Sequence, residues 1–209
     1  MSLRYTCRLF RTWDAAAFRR AVQDAARAFD GQIEWGKVGR GDECLQLGST
    51  PTVQTLYLPD GVCDWRLFEV VSEALDAPLM ELSIQEEALW DYVLYRGAEC
   101  VDKFSTLPQY WDYPHEPGEK LLREWAGQPK LLAELWHLPL ERIERYFVNW
   151  GMKADPDDSG VFNTLLEGKA YPSDQHPYGE CRQMFDFLAT LGGAIPEEGH
   201  RAVFPERRG

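Results

Sequence analysis

Residues 4–31 read RYTCRLFRTWDAAAFRRAVQDAARAFDG, and their reading decides the fold. Tyr5, Cys7 and Leu9 alternate with Arg4, Thr6 and Arg8, the period of two of a half-buried strand. Asp14 can accept a hydrogen bond from a free N–H of a first helical turn. Phe18, Ala21, Val22, Ala25, Ala26 and Phe29 then repeat at helical spacing, and Asp30-Gly31 stops them. Strands are expected around Ile33–Trp35 and Cys44–Leu47. The Gly-rich Gly36–Gly41 between them reads as a hairpin turn needing positive φ. The unit is therefore β-α-β-β.

The same order recurs downstream. Val53, Leu56 and Tyr57 mark a strand in 53–58. Asp64 can cap a helix carrying Leu67, Phe68, Val71 and Leu75, which Pro78 ends. Leu79–Ile84 and Trp90–Tyr95 read as strands, and Arg96-Gly97-Ala98-Glu99 turns the second into Cys100–Phe104. A shift of 49 residues superposes Val22 on Val71, Ala26 on Leu75 and Ile33 on Leu82, a weak tandem repeat.

From Pro108 the pattern changes. Pro108, Pro114 and Pro117 punctuate an aromatic, acidic loop. Leu121, Leu122 and Trp125 suggest one helix, and Leu131, Leu132, Leu135 and Trp136 another. Leu140, Ile143, Phe147 and Trp150 suggest a third, with Pro139 in its first turn. A loop runs from Gly151 to about Pro177. A last helix carries Cys181, Met184, Phe185, Leu188 and Leu191 and ends at Gly192-Gly193. The tail with Arg207-Arg208 is expected to fray. The expected architecture is α+β: a mixed or antiparallel sheet covered by two helices in 1–107, with a mainly helical region, 108–209, packed on it.

The 209 residues carry 34 Asp plus Glu against 22 Lys plus Arg, a net charge of −12. This balance excludes sequence-independent binding to nucleic acid and to anionic membranes. No apolar run approaches the ~20 residues of a membrane span. The first residues have no signal-peptide core, so a cytoplasmic setting is expected. Five cysteines without a C-x-x-C pair suggest neither a disulfide framework nor a zinc knuckle. The charge is uneven. Residues 1–40 hold eight basic and four acidic side chains, and residues 41–102 hold two and thirteen. Arg19, Arg20 and Arg27 line the polar face of the first helix; Glu69, Glu73 and Asp76 line that of the second. Two readings follow: a solvated surface with attraction between the helices, or an acidic docking patch for a basic protein partner.

Chemical motifs are sparse. Gly36–Gly41 lacks the Lys-Ser or Lys-Thr of a P-loop and the third glycine of a dinucleotide fingerprint. No H-E-x-x-H or G-x-S-x-G occurs. Asp174, His176, Glu180 and Cys181 crowd together, as a zinc site or a Cys-His pair in a dispersed active site would require, although acidic surroundings raise a thiol pKa. Asp155–Glu167 places oxygen ligands at positions one, three and five and Gly160 at six, as in a calcium loop, but Leu166 stands where the bidentate acid is needed. No cofactor is implied. The remaining signal is aromatic. Trp90, Tyr92 and Leu94 share one strand face and Asp91, Val93 and Tyr95 the other, mostly for core packing. Tyr110, Trp111 and Tyr113 sit in the acidic loop, and Tyr and Trp are common interface anchors.

Two stretches carry a resemblance. One is Trp90–Gly97, continuing through Val101–Ser105 to Pro108-Gln109-Tyr110; the other is Gly168–Asp174, continuing to Phe185–Leu188 and Leu191-Gly192. Together they resemble a family of uncharacterised bacterial proteins, and the resemblance brings no known activity. In its acidic, motif-poor α+β character the chain is similar to immunity proteins of bacterial toxin systems. The similarity carries over no functional residues. With the charge pattern and the aromatic loop it leads to the expectation of a non-enzymatic binding protein that occludes a basic partner, with Glu69, Glu73 and Asp76 as the acidic surface and Tyr110, Trp111 and Tyr113 as anchors.

Overall fold

The computed structural model describes residues 4–59, 64–112, 118–150, 164–196 and 198–204. It is an α+β protein built on an eight-stranded antiparallel sheet. The strands are β1 (Tyr5–Phe10), β2 (Gln32–Glu34), β3 (Cys44–Ser49), β4 (Gln54–Tyr57), β5 (Leu79–Gln85), β6 (Leu89–Arg96), β7 (Glu99–Ser105) and β8 (Glu198–Val203), in the order β2-β8-β3-β4-β1-β5-β6-β7. The principal helices are α1 (Ala15–Ala28), α2 (Arg66–Leu75), α3 (Glu119–Glu124), α4 (Pro129–Trp136) and α5 (Gln183–Thr190). No helix among the described residues is long and apolar enough to cross a membrane. Contacts group the chain into two compact units, one of residues 1–5, 82–93 and 102–191, the other of residues 6–81, 94–101 and 192–209.

The second unit holds the β-α-β-β pattern. Asp14 caps α1 by accepting the Ala17 N–H at 2.7 Å, supplying a partner to a donor that the first turn leaves open. The apolar stripes of both helices, Phe18, Val22, Ala25 and Ala26 on α1 with Leu67, Phe68 and Val71 on α2, pack on Phe10, Leu45, Leu47, Leu56 and Leu79 from the strands. The linear order β-α-β-β recurs, but its strands take unlike places: β5 lies beside β1, whereas β2 lies at the far edge.

The reason is β8. Glu198–Val203, where the sequence suggests no strand, joins the sheet between β2 and β3. Gly36–Gly41 therefore does not close a hairpin. Arg201 stands opposite both Glu34, at the end of β2, and Cys44, at the start of β3, so the intervening loop must pass over β8. Gly36 (φ +80°) donates its N–H to His200 Nδ1 at 3.0 Å. A Cβ on Gly39 would lie 2.0 Å from the Glu43 carbonyl oxygen and 2.9 Å from that of His200. Arg201 clamps the two ends of the loop, bonding Glu34 at 2.9 Å and Glu43 at 2.7 Å. Arg207-Arg208 lie outside the described residues.

The first unit has an aromatic core. Trp90, Tyr92, Phe104 and Phe187 are buried with Tyr146, and their rings meet at centroid separations of 4.9–6.0 Å, within the range of favourable aromatic contacts. The buried Asp102 carboxylate accepts from the Tyr92 hydroxyl at 2.6 Å and from the Gln128 N–H at 2.9 Å, tying β7 to the start of α4. The helix expected from Pro139 to Trp150 is instead two 3-10 turns, Leu140–Arg142 and Glu144–Tyr146. Ile143 and Tyr146 are both buried, and their spacing of three is the 3-10 period. The Tyr146 hydroxyl donates to Asp174 at 2.9 Å, and Phe147 (φ −82°, ψ 65°) has left the helical region.

Gly127 (φ +72°) adjoins this core. A Cβ there would lie 2.5 Å from the Phe147 ring and 3.1 Å from Phe104 Cβ. Replacing it with alanine adds a steric clash to an unfavourable backbone, and Gly127→Ala is expected to cost about 2–4 kcal/mol in urea unfolding. Gly36→Ala has the same sign of φ but nothing within 4 Å, and is expected to cost only about 1 kcal/mol. Equal losses would contradict the packing account.

Candidate interaction surface

The second helix turns one face inward and presents chemistry on the other. Its start is set by Asp64, whose Oδ1 accepts the Arg66 N–H at 3.0 Å while Oδ2 pairs with the Arg66 guanidinium at 2.6 Å. Its end is set by Asp76, which adopts the left-handed conformation (φ 46°). The Ala77 N–H returns to the Ser72 carbonyl at 3.1 Å, closing the last turn. Burial of Leu67, Phe68 and Val71 leaves Trp65, Val70, Glu73 and Asp76 exposed and Glu69 half-buried. Trp65, Glu69 and Glu73 follow at intervals of four, one stripe along the helix.

This stripe has an aromatic end and an acidic end. Trp65 is 53% exposed, and its ring lies 6.4 Å from that of Tyr95 at 34°. Tyr95 is brought there by β6, which turns into β7 through Gly97 (φ 59°). A Cβ at Gly97 would lie 3.8 Å from Glu73 Cγ, so the hairpin tip flanks the acidic end. Beneath the surface, buried Arg8 donates from Nε to Glu81 at 3.0 Å and stacks 4.5 Å from the Phe68 centroid.

The acidic end is not neutralised. Glu69, Glu73 and Asp76 have no ion-pair partner among the described residues; Arg66, the nearby cation on α2, is engaged by Asp64. Partial burial, followed by the neighbouring Glu73 carboxylate, raises the Glu69 carboxyl pKa against an opposing pull from Arg66. Burial likewise pushes the Tyr95 hydroxyl up to about 12, with Glu81, Cys100 and Glu69 adding and Arg8 opposing. Tyr95 is thus a neutral phenol at physiological pH.

Tyr110 belongs to the first unit and is half-buried, and its hydroxyl donates to Glu86 at 2.7 Å. Glu86 also pairs with Arg4. Trp111 lies in the 3-10 turn Pro108–Asp112, and Tyr113 lies outside the described residues. Glu69 and Glu73 are therefore brought together, while Tyr110 has a carboxylate partner of its own.

Around Asp174–Cys181 the groups are occupied in holding the loop. Asp174 accepts from the Tyr146 hydroxyl and from the Tyr171 N–H at 3.2 Å; its carbonyl accepts from Lys169 Nζ at 2.8 Å. Asp186 accepts the N–H groups of Gln175 and His176. His176 Nδ1 lies 3.1 Å from Glu180, and burial raises the Cys181 thiol pKa. Among the described residues no three His, Cys, Asp or Glu side chains converge on a site for a metal ion. Of the calcium-like stretch Asp155–Glu167, residues 155–163 lie outside the described residues. Among the described residues Cys7, Cys44, Cys100 and Cys181 form no disulfide.

Compared with known protein families, characterised proteins and solved structures, the chain matches none. Trp65 and Tyr95 are the site residues that reading the sequence for motifs passes over. Their signals were present: Trp65 is in register with Glu69 and Glu73, and Tyr95 is on the strand face opposite Trp90 and Tyr92.

Because the fold raises the Glu69 pKa, charging this carboxyl opposes folding. Stability falls as pH rises from the usual carboxylate value of 4.5 to the raised one, and the loss persists above it. Glu69→Gln is therefore expected to raise the melting temperature at pH 7 and to lose that advantage below pH 4. A variant less stable than wild type at pH 7 would contradict the assignment.

Proposed function

We propose that this chain is a non-enzymatic cytosolic binding protein of the bacterial immunity type, which covers a basic patch on a protein partner with the outer face of α2. The observation that carries this reading is the unneutralised Glu69–Glu73 pair beside half-exposed Trp65. Like charges four residues apart destabilise a helix by about 0.2–0.5 kcal/mol. A cationic partner surface converts that repulsion into attraction, speeds encounter and selects against acidic partners. Trp65 adds apolar area of the kind that anchors interfaces. It joins Tyr110, Trp111 and Tyr113, the aromatic anchors that the sequence suggests. The same carboxylates repel phosphate, so the reading excludes nucleic acid and anionic membranes as ligands of this face. It requires no cofactor.

The test is affinity capture from the native cytosol with wild type and with the double charge reversal Glu69→Lys/Glu73→Lys. The expected outcome is a partner with a basic surface, its retention falling steeply with salt and at least tenfold in the reversed variant. Equal retention by both proteins overturns the reading.

A further inference from the structure

The structure covers several of its aromatic rings with its own cations. Arg11 lies 5.8 Å from the Trp13 centroid, Arg19 5.4 Å from Trp35, and Lys103 5.3 Å from Trp125. Trp13 and Trp65 are the two most exposed tryptophans among the described residues whose exposure is given, at 72% and 53%. Trp13 has its arginine. No cation–aromatic contact among the described residues covers Trp65 or Tyr95, and the stripe beside them carries carboxylates.

We infer that the Trp65–Tyr95 pair is the seat for an arginine side chain of the basic partner. This rests on the reading of α2 as the partner-binding face and names what that face selects. The two rings lie 6.4 Å apart and are tilted by 34°, nearer parallel than edge-on, and Trp65 is half-exposed. A guanidinium is planar, stacks on aromatic faces and forks to a carboxylate with two parallel hydrogen bonds. Glu69, one helical turn from Trp65, supplies that carboxylate, and Glu73 lies one turn further on. A lysine ammonium finds the same charge but cannot stack or fork, so the seat discriminates between the two cations. Cation–aromatic attraction is largest at tryptophan and grows when the contact is desolvated.

The experiment uses the full chain and two synthetic probes, a tetra-arginine and a tetra-lysine peptide. Binding is followed by the indole N–H resonance of Trp65, assigned by its absence in Trp65→Phe, and by calorimetry at two salt concentrations. Trp65 is exposed, so the Trp65→Ala and Trp65→Phe variants are expected to keep the wild-type circular dichroism. Tetra-arginine should move the Trp65 resonance and bind several-fold more tightly than tetra-lysine. Trp65→Ala should abolish that preference, Trp65→Phe should keep part of it, and Glu69→Gln/Glu73→Gln should weaken both peptides about tenfold. If both peptides bind alike, and the Glu variants weaken them while Trp65→Ala does not, the arginine seat is overturned and the acidic face stands. If the Glu variants change nothing, or neither peptide binds at millimolar concentration, the acidic face falls with it.

Discussion

Burial of Leu67, Phe68 and Val71 against the sheet fixes everything on the outer side of α2. A helix has one rotational setting that hides such a stripe, and it sends Trp65, Glu69 and Glu73 outward together. The ends of the helix hold that setting. Asp64 fastens the first turn and the left-handed Asp76 closes the last. Tyr95 reaches the same place from the sheet, through the tight turn at Gly97. The surface is thus a consequence of core packing in one compact unit and needs no loop to assemble it.

Its charge runs against stability. Several acidic side chains elsewhere have a local answer: Glu34 and Glu43 share Arg201, Glu81 has Arg8, Glu86 has Arg4, Glu124 has Lys103. Glu69 and Glu73 have no such partner among the described residues, and burial together with the neighbouring Glu73 disfavours the charge on Glu69. Local rules of stability are most often broken where a protein does something other than hold itself together. The groups around Asp174 show the contrast. Asp174 and Asp186 accept hydrogen bonds from neighbouring backbone and hydroxyl groups, as a structural network does.

Much of the fold was legible in the sequence because it is written in local periodicity. The alternation of Tyr5, Cys7 and Leu9, the cap at Asp14 and the turn at Gly97 each specify their element without distant residues. What was not legible depends on distant partners. Nothing in Glu198–Val203 announces that it inserts between β2 and β3; its clamp is Arg201 against Glu34 and Glu43, more than 150 residues away. The apolar spacing of Leu140, Ile143, Phe147 and Trp150 imitates an α-helix, yet the Tyr146–Asp174 bond helps to hold the segment in 3-10 turns. On the candidate surface, Glu69, Glu73 and Asp76 were legible as the polar face of a helix. The Trp65–Tyr95 pair was not, because it joins a helix end to a strand.

The central claim is that the Glu69–Glu73 repulsion is kept for a cationic ligand. Its most direct test is a carbon-detected NMR titration of the Glu69 side-chain carboxyl, in the free protein and with saturating tetra-arginine peptide. The account predicts a midpoint above the ordinary carboxylate value in the free protein and a fall to or below that value with the peptide bound. An ordinary midpoint in the free protein, or one the peptide leaves unmoved, would contradict it.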